Sequence, residues 1–260
     1  MDSIKKFSGI ANEYTKSRPG YAHEFIECLF EKYSFSSSSV VADIGSGTGK
    51  FAKQLLDKGC NVFCVEPNDD MRLVAENELS SYPNFKSVSG SAENTTLPGN
   101  FVDFITTAQA FHWFDTKSFK EECLRIIRPG GKVLLIWNTR NNDSIINQEL
   151  HKVYLQYCPD FKGFSGGTKL HDDRIKDFFN NNYEYITFEN PLYFDREKFV
   201  NRSLSGSYSL KKGDKNFDLY IDEINRIFDE HENDGIVKIE NQTVAYAGTI
   251  EKDINGDLLW

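Results

Sequence analysis

The stretch Val40-Val41-Ala42-Asp43-Ile44-Gly45-Ser46-Gly47-Thr48-Gly49 constrains this chain more than any other. A β-branched apolar run breaks into alternating glycines, and a helical pattern starts directly after them. A second apolar run, Val62-Phe63-Cys64-Val65, ends on Glu66, 23 positions after Asp43. In a strand–helix–strand unit this pattern brings bare backbone close to a nucleotide-like ligand. It also sets a carboxylate where two ribose hydroxyls can be gripped.

The spacing of the glycines separates the kinds of nucleotide site. A phosphate-cradling loop requires G-x-x-x-x-G-K followed by Ser or Thr. Here Phe51 follows Gly49-Lys50, and Ile44 stands five positions before Gly49. A dinucleotide fingerprint needs a small third residue three after the second glycine, where helix and strand pack under a pyrophosphate. That position is Lys50, a long cation.

The register present, Asp-x-Gly-x-Gly-x-Gly over Asp43 to Gly49, resembles the first motif of class I S-adenosylmethionine-dependent methyltransferases. Further stretches resemble the same family in the same order. Gly90-Ser91-Ala92-Glu93-Asn94 before Leu97-Pro98 is similar to its adenine-side loop, and Phe101 to Ile105 to its fourth strand. Arg128-Pro129-Gly130-Gly131 leading into Lys132 to Ile136 is similar to its turn into strand five. The resemblance covers about residues 38 to 138. The N-terminal stretch Phe7 to Tyr14 with Arg18-Pro19, and Ala110-Phe111-His112-Trp113-Phe114-Asp115, resemble the small-molecule group within it, including trans-aconitate methyltransferase-like proteins.

The fold expected is therefore α/β: a Rossmann-like, seven-stranded, mostly parallel sheet with one antiparallel strand, helices on both faces and a helical cap. The alternation of strand and helix independently implies parallel strands with right-handed crossovers. One domain is expected over 1–260. Within it lie an N-terminal lid segment (1–33), a cofactor-binding core (38–138), cap insertions around a late strand (140–235) and a final strand region (236–260).

Local signals place the pieces. Phe25, Ile26, Leu29 and Phe30 give residues 21 to 33 an amphipathic helical pattern. Gly59 is placed to end the helix that carries Phe51, Leu55 and Leu56. Asn68 and Asp115 are each placed to cap a following helix, the first with Asp69 and Asp70 favourably in its opening turn. Beyond residue 139, helices are expected around Ile146 to Tyr157, Phe199 to Leu204 and Ile221 to Phe228. A flexible loop is expected over Gly163 to Thr168, and strands over Tyr183 to Phe188 and within Ile236 to Ile250. The acidic run Asp229 to Asp234 matches no metal-ligand spacing and reads as a solvated helix end; no metal is expected.

Composition narrows the partners. A net charge of -9 disfavours a nucleic-acid substrate, since phosphate backbones are bound mainly by Lys and Arg. The five cysteines contain no C-x-x-C, and four sit in apolar periodic segments. That pattern suits buried free thiols in a reducing compartment. The N-terminus has no signal-like apolar stretch, and no apolar run approaches a spanning helix. A cytoplasmic monomer or homodimer acting on a small molecule, without membrane or nucleic acid, is expected.

The resemblance implies roles residue by residue. Gly45, Ser46 and Gly47 would lie against the methionine part of S-adenosylmethionine, and Glu66 would accept from the ribose diol. Pro67 and Met71 would pack on the adenine, Ala92 would offer its amide to that ring, and Glu93 would accept from the exocyclic amine. Backbone of Ala108 or Gln109 would receive the methionine ammonium, while Asp43 holds the glycine loop. The catalytic candidates are His112, Tyr14 and Arg18. For a carboxylate acceptor Arg18 clamps, with Tyr14 and His112 as hydrogen-bond partners; for a phenol or acidic carbon His112 takes the proton. Two alternatives to a methyltransferase are a cofactor-binding protein that keeps the fold without the chemistry, and a nicotinamide-dependent oxidoreductase. Lys50 argues against the second.

Overall fold

The structure is a computed structural model and describes residues 19–164, 172–206 and 208–251. It divides into two compact units. The first holds residues up to Trp137 together with His171–Phe188 and the chain from Val244; the second holds Asn138–Leu170 and Glu189–Thr243.

In the first unit, α1 (His23–Lys32) precedes β1 (Val40–Ile44), α2 (Lys50–Asp57), β2 (Asn61–Val65), α3 (Asp69–Leu79) and β3 (Phe85–Val88). Then come β4 (Val102–Ala108), a 3-10 turn (Phe111–Trp113), α4 (Thr116–Ile126) and β5 (Ile127–Arg140), the last of which runs into the second unit. Later segments add α6 (Asp173–Phe178), β6 (Tyr183–Glu189) and β9 (Asn241–Gly248). The seven-stranded sheet has the order β3-β2-β1-β4-β5-β9-β6. β1 is parallel to both β2 and β4, β2 to β3, and β4 to β5. β9 runs against β6: Asn190, just past the end of β6, donates its N–H to Asn241 at the start of β9, while Asn182 before β6 reaches Thr249 after β9. The mostly parallel, Rossmann-like sheet expected from the sequence is thus present, with its antiparallel strand arriving last.

The order reverses between β1 and β4, and such a switch point opens a crevice at the carboxyl ends of the strands. Burial explains why the strands form. Val41, Ala42, Val62, Val65, Ile105 and Val133 to Ile136 are fully buried, as strands covered on both faces should be. Phe25, Leu29, Phe51 and Leu55 pack into the same core as Val41 and Val62, each contributing about 1.5–3 kcal/mol of burial.

The helix ends follow local chemistry. α2 closes with a two-bond C-terminal cap: Gly59 N–H donates to Leu56 O (2.9 Å) and Cys60 N–H to Leu55 O (3.1 Å). Gly59 takes a φ of +92°, which glycine adopts without a Cβ penalty. Asn68 caps α3 through the Met71 N–H (2.9 Å), and Asp115 caps α4 through the Ser118 N–H (2.9 Å).

The second unit contains α5 (Ile145–Tyr157), β7 (Leu192–Phe194), α7 (Arg196–Leu204), α8 (Phe217–His231) and β8 (Val237–Ile239). β7 and β8 pair antiparallel. Its core joins Ile146, Leu150, Val153 and Tyr154 of α5 to Phe199, Tyr220, Ile224, Ile227 and Phe228, with Val237 and Ile239 of β8. The three helices expected here are present. β7 and α6 carried no legible pattern, being 3 and 6 residues long. Of the loop expected over Gly163 to Thr168, the part from residue 165 lies outside the described residues.

Candidate functional site

The glycine turn after β1 is held by the next strand. Gly45 and Ser46 both donate their N–H groups to the Val65 carbonyl, at 2.9 and 3.2 Å. Gly45 has a φ of +66°, and a Cβ there would meet the Ala110 Cβ at 2.6 Å and the Phe114 ring at 3.0 Å. Glycine is therefore required twice over, by backbone conformation and by the close approach of the segment that follows β4. Gly47 also lies at positive φ, +56°, but among the described residues a Cβ on it would meet nothing within 4 Å. Bare backbone there has no described neighbour over it.

Glu66 closes the other side of that turn. Its side chain is only 8% exposed, and it accepts two backbone hydrogen bonds, from Gly47 N–H and Asn68 N–H, each at 2.9 Å. Burial raises its carboxyl above the usual range, against the two amides and the Arg72 charge, which favour ionisation. Arg72 also donates to the Glu66 carbonyl at 3.1 Å. The carboxylate is thus fixed in direction, turned toward the glycine loop and away from bulk water.

Asp43, at the end of β1, is completely buried. One carboxyl oxygen accepts from the Thr106 hydroxyl at 2.8 Å; the other has no hydrogen-bond partner among the described residues. Burial, with the Glu66 charge adding to it, pushes this carboxyl up to about 7, while the Thr106 hydrogen bond pulls the other way. The buried Ser46 hydroxyl has no hydrogen-bond partner among the described residues either. Unpaired polar atoms in a buried place cost free energy unless something else satisfies them.

The adenine-side residues sit as follows. Pro67 is half-buried and Met71 buried, and the Met71 N–H is spent on the Asn68 cap. Ala92 is buried in a tight loop closed by Ser91 and Asn94, whose N–H groups each donate to the other's carbonyl. Glu93 is exposed, and its carboxylate accepts the Asp115 N–H at 3.1 Å. That contact ties the loop after β3 to the segment after β4. Ala108 ends β4 opposite Ile136, and Gln109 donates its N–H to the Ile136 carbonyl at 2.8 Å. Gln109 holds a φ of +60°, a conformation that non-glycine residues seldom adopt and that clusters at functional sites.

His112 stands in the 3-10 turn after β4, its ring 4.7 Å from that of Trp113, which is 40% exposed. The same segment supplies Ala110 and Phe114, which press on Gly45, so His112 belongs to the loops that converge at the ends of β1, β2 and β4. Tyr14 and Arg18 lie outside the described residues. Sequence reading missed three participants: Thr106, Arg72 and Trp137. Trp137 sits in the last part of β5 with its indole nitrogen buried and, among the described residues, without a hydrogen-bond partner. Thr106 and Trp137 meet neighbours far away in sequence, Asp43 for the first and Phe111 and Tyr246 for the second, while Arg72 reaches back only six positions to Glu66.

Comparison with known proteins agrees with this geometry. Residues 42–135 match the family model described as a methyltransferase domain. An uncharacterized methyltransferase of Mycobacterium tuberculosis is 35% identical over 140 residues, 54% of this chain and 55% of the relative. The match therefore spans about half the length of that relative. An uncharacterized methyltransferase-like protein of Schizosaccharomyces pombe is 25% identical over 250 residues, 95% of this chain and 96% of that protein. Among solved structures, a candidate type II methyltransferase from Anaeromyxobacter dehalogenans superposes with a TM-score of 0.65 at 18% identity, covering 89% of this chain and 97% of the other. A Haemonchus contortus phosphoethanolamine N-methyltransferase, in complex with phosphomonomethylethanolamine and S-adenosylhomocysteine, gives 0.53 at 16% identity, covering 96% of this chain and 58% of that one. Over residues 42–135 the chain is thus similar to methyltransferase domains, and its fold is that of the solved methyltransferase structures.

Proposed function

We propose that this protein binds S-adenosylmethionine at the glycine turn and transfers its methyl group to a small-molecule acceptor, a carboxylic acid being the acceptor class favoured. The observation that carries the reading is the buried Glu66 carboxylate fixed on the Gly47 amide, beside backbone that no described residue covers. The residues fit the cofactor's chemistry. A diol can be gripped by a pre-oriented anionic acceptor, charge-assisted hydrogen bonds being the stronger kind. Bare backbone at Gly45 and Gly47 admits a close neighbour, and the oxygens of Asp43 and Ser46 that no described residue pairs leave polar capacity unused.

When bound, the cofactor supplies a methyl carbon already activated by a positive sulfur. The chain then needs chiefly to position the acceptor, exclude water and, for some acceptors, remove a proton. Pro67, Met71 and Ala92 form the adenine side, with Glu93 at its rim; backbone at Ala108 and Gln109 faces the amino-acid end. A carboxylate arrives ionised at neutral pH and needs no base, so Arg18 and Tyr14 serve as its clamp. For a phenol or an acidic carbon, His112 takes the proton, its ordinary pKa lying near neutrality. A cytoplasmic setting follows from the same reading.

Label from methyl-tritiated donor, offered with a panel of carboxylates, phenols and amines, tests this. The expected product is an alkali-labile methyl ester. S-adenosylhomocysteine binding with no transfer to any panel member would instead mean a protein that keeps the cofactor site without the chemistry.

A further inference from the structure

Most arginines among the described residues neutralise an acid: Arg72 with Asp69, Arg125 with Glu122, Arg128 with Asp103, Arg174 with Asp172, Arg196 with Asp229 and Arg226 with Glu223. Arg140, in the second unit, does not. Its guanidinium carbon lies over the Phe164 ring, 4.1 Å from the centroid. Its hydrogen bond goes to a neutral amide, Asn147 Oδ1, at a long 3.4 Å. Among the described residues no carboxylate stands within ion-pair distance of it, in a chain whose acids outnumber its bases 39 to 30.

Arg140 borders an aromatic wall. Phe161 meets Phe164 edge-on at 5.5 Å and Tyr208 at 4.8 Å, and Tyr154 meets Tyr208 at 5.3 Å. A Cβ on Gly206 would come within 2.8 Å of the Tyr208 Cζ, so glycine there lets that ring fold back over its own chain. The hydroxyls of Tyr154 and Tyr220 are spent inside the unit, on the Ser203 hydroxyl and carbonyl. The Tyr208 hydroxyl makes no hydrogen bond among the described residues; burial pushes it up to about 12, against the pull of both Arg140 and Arg202. It therefore stays a neutral donor. Arg202 in turn lies over the Phe194 ring, 5.3 Å from its centroid.

A guanidinium stacked on a ring keeps its edge of N–H donors for a planar oxyanion, which it binds in fork geometry. We infer that the second unit holds a flat organic anion, an aryl carboxylate by class, with its charge on Arg140 and the Tyr208 hydroxyl and its body against Phe161 and Phe164. This site is separate from the cofactor reading and would stand without it.

The test uses the full chain with benzoate and benzamide, which share a shape and differ in charge. Benzoate should bind about tenfold or more tightly than benzamide. The gap should narrow as salt rises, and the arginine Nε–H signals should shift on addition. R140Q should remove most of the preference while leaving S-adenosylhomocysteine affinity and the circular dichroism spectrum as in wild type. Equal binding of the two probes to the wild-type chain would overturn the inference, whether or not R140Q folds. So would a folded R140Q that keeps the preference, or inorganic phosphate competing as well as benzoate does. If R140Q does not fold, Y208F serves in its place, with a weakened preference expected and an unchanged one contradicting the site.

Discussion

The two compact units specify themselves by different physics. In the first, the site is made of backbone: Gly45 and Gly47 at positive φ, N–H groups turned onto Val65 and Glu66, and one carboxylate held by two amides. In the second, order comes from rings, with Tyr154, Phe161, Phe164 and Tyr208 joined by edge-to-face contacts and Tyr220 tilted against Tyr154. A backbone site tolerates few substitutions, because only glycine fits a left-handed turn under a close neighbour. An aromatic core accepts many sequences of similar volume. The first kind of construction leaves a short readable motif; the second leaves only periodicity.

Substitutions can break or sharpen that contrast. Phe228→Ala, deep in the second core, should cost about 3–5 kcal/mol by leaving a cavity. Hydrogen exchange should then show lost protection along α5 and α8, and uniform loss over β1 and β2 would erase the distinction between the units. Glu66→Ala should leave that core intact and weaken S-adenosylhomocysteine binding by roughly 2 kcal/mol or more, since a charged acceptor is lost. Unchanged affinity in calorimetry would remove Glu66 from the site.

Asp43→Asn probes the buried acid. Its carboxyl is raised to about 7 in the folded chain, so the native state binds a proton that the unfolded chain has already released. This group's contribution to stability is present below the ordinary carboxylate range and is lost as pH rises toward 7. Denaturation measured from pH 4 to 8 should show the wild type losing stability relative to D43N across that window. Parallel curves would mean that Asp43 is charged throughout. Gly47→Ala should have the smallest effect, about 1 kcal/mol, because the positive φ opposes it and no described residue is struck. A larger loss of cofactor affinity than of stability would show that the backbone at Gly47 lies against ligand.

Much of the first unit was legible because its signals are local. The caps at Asn68 and Asp115 and the stop at Gly59 each depend on residues within a few positions, and the structure has them as expected. The two strands flanking the glycine turn followed from β-branched runs. What escaped was set by distant partners: Thr106 meets Asp43 across 63 positions, and Glu93 is drawn to the Asp115 amide 22 positions away. The left-handed Gln109 has no marker in sequence, since glutamine rarely adopts it. In the second unit the helices announced themselves by apolar spacing, while β7 was too short to do so.

Calorimetric titration of the full chain with S-adenosylhomocysteine tests the central claim most directly. One molecule bound per chain, with enthalpy and affinity both reduced when Glu66 is replaced by Gln, is the predicted result. No heat of binding at millimolar ligand, from a protein with a normal folding transition, would contradict it.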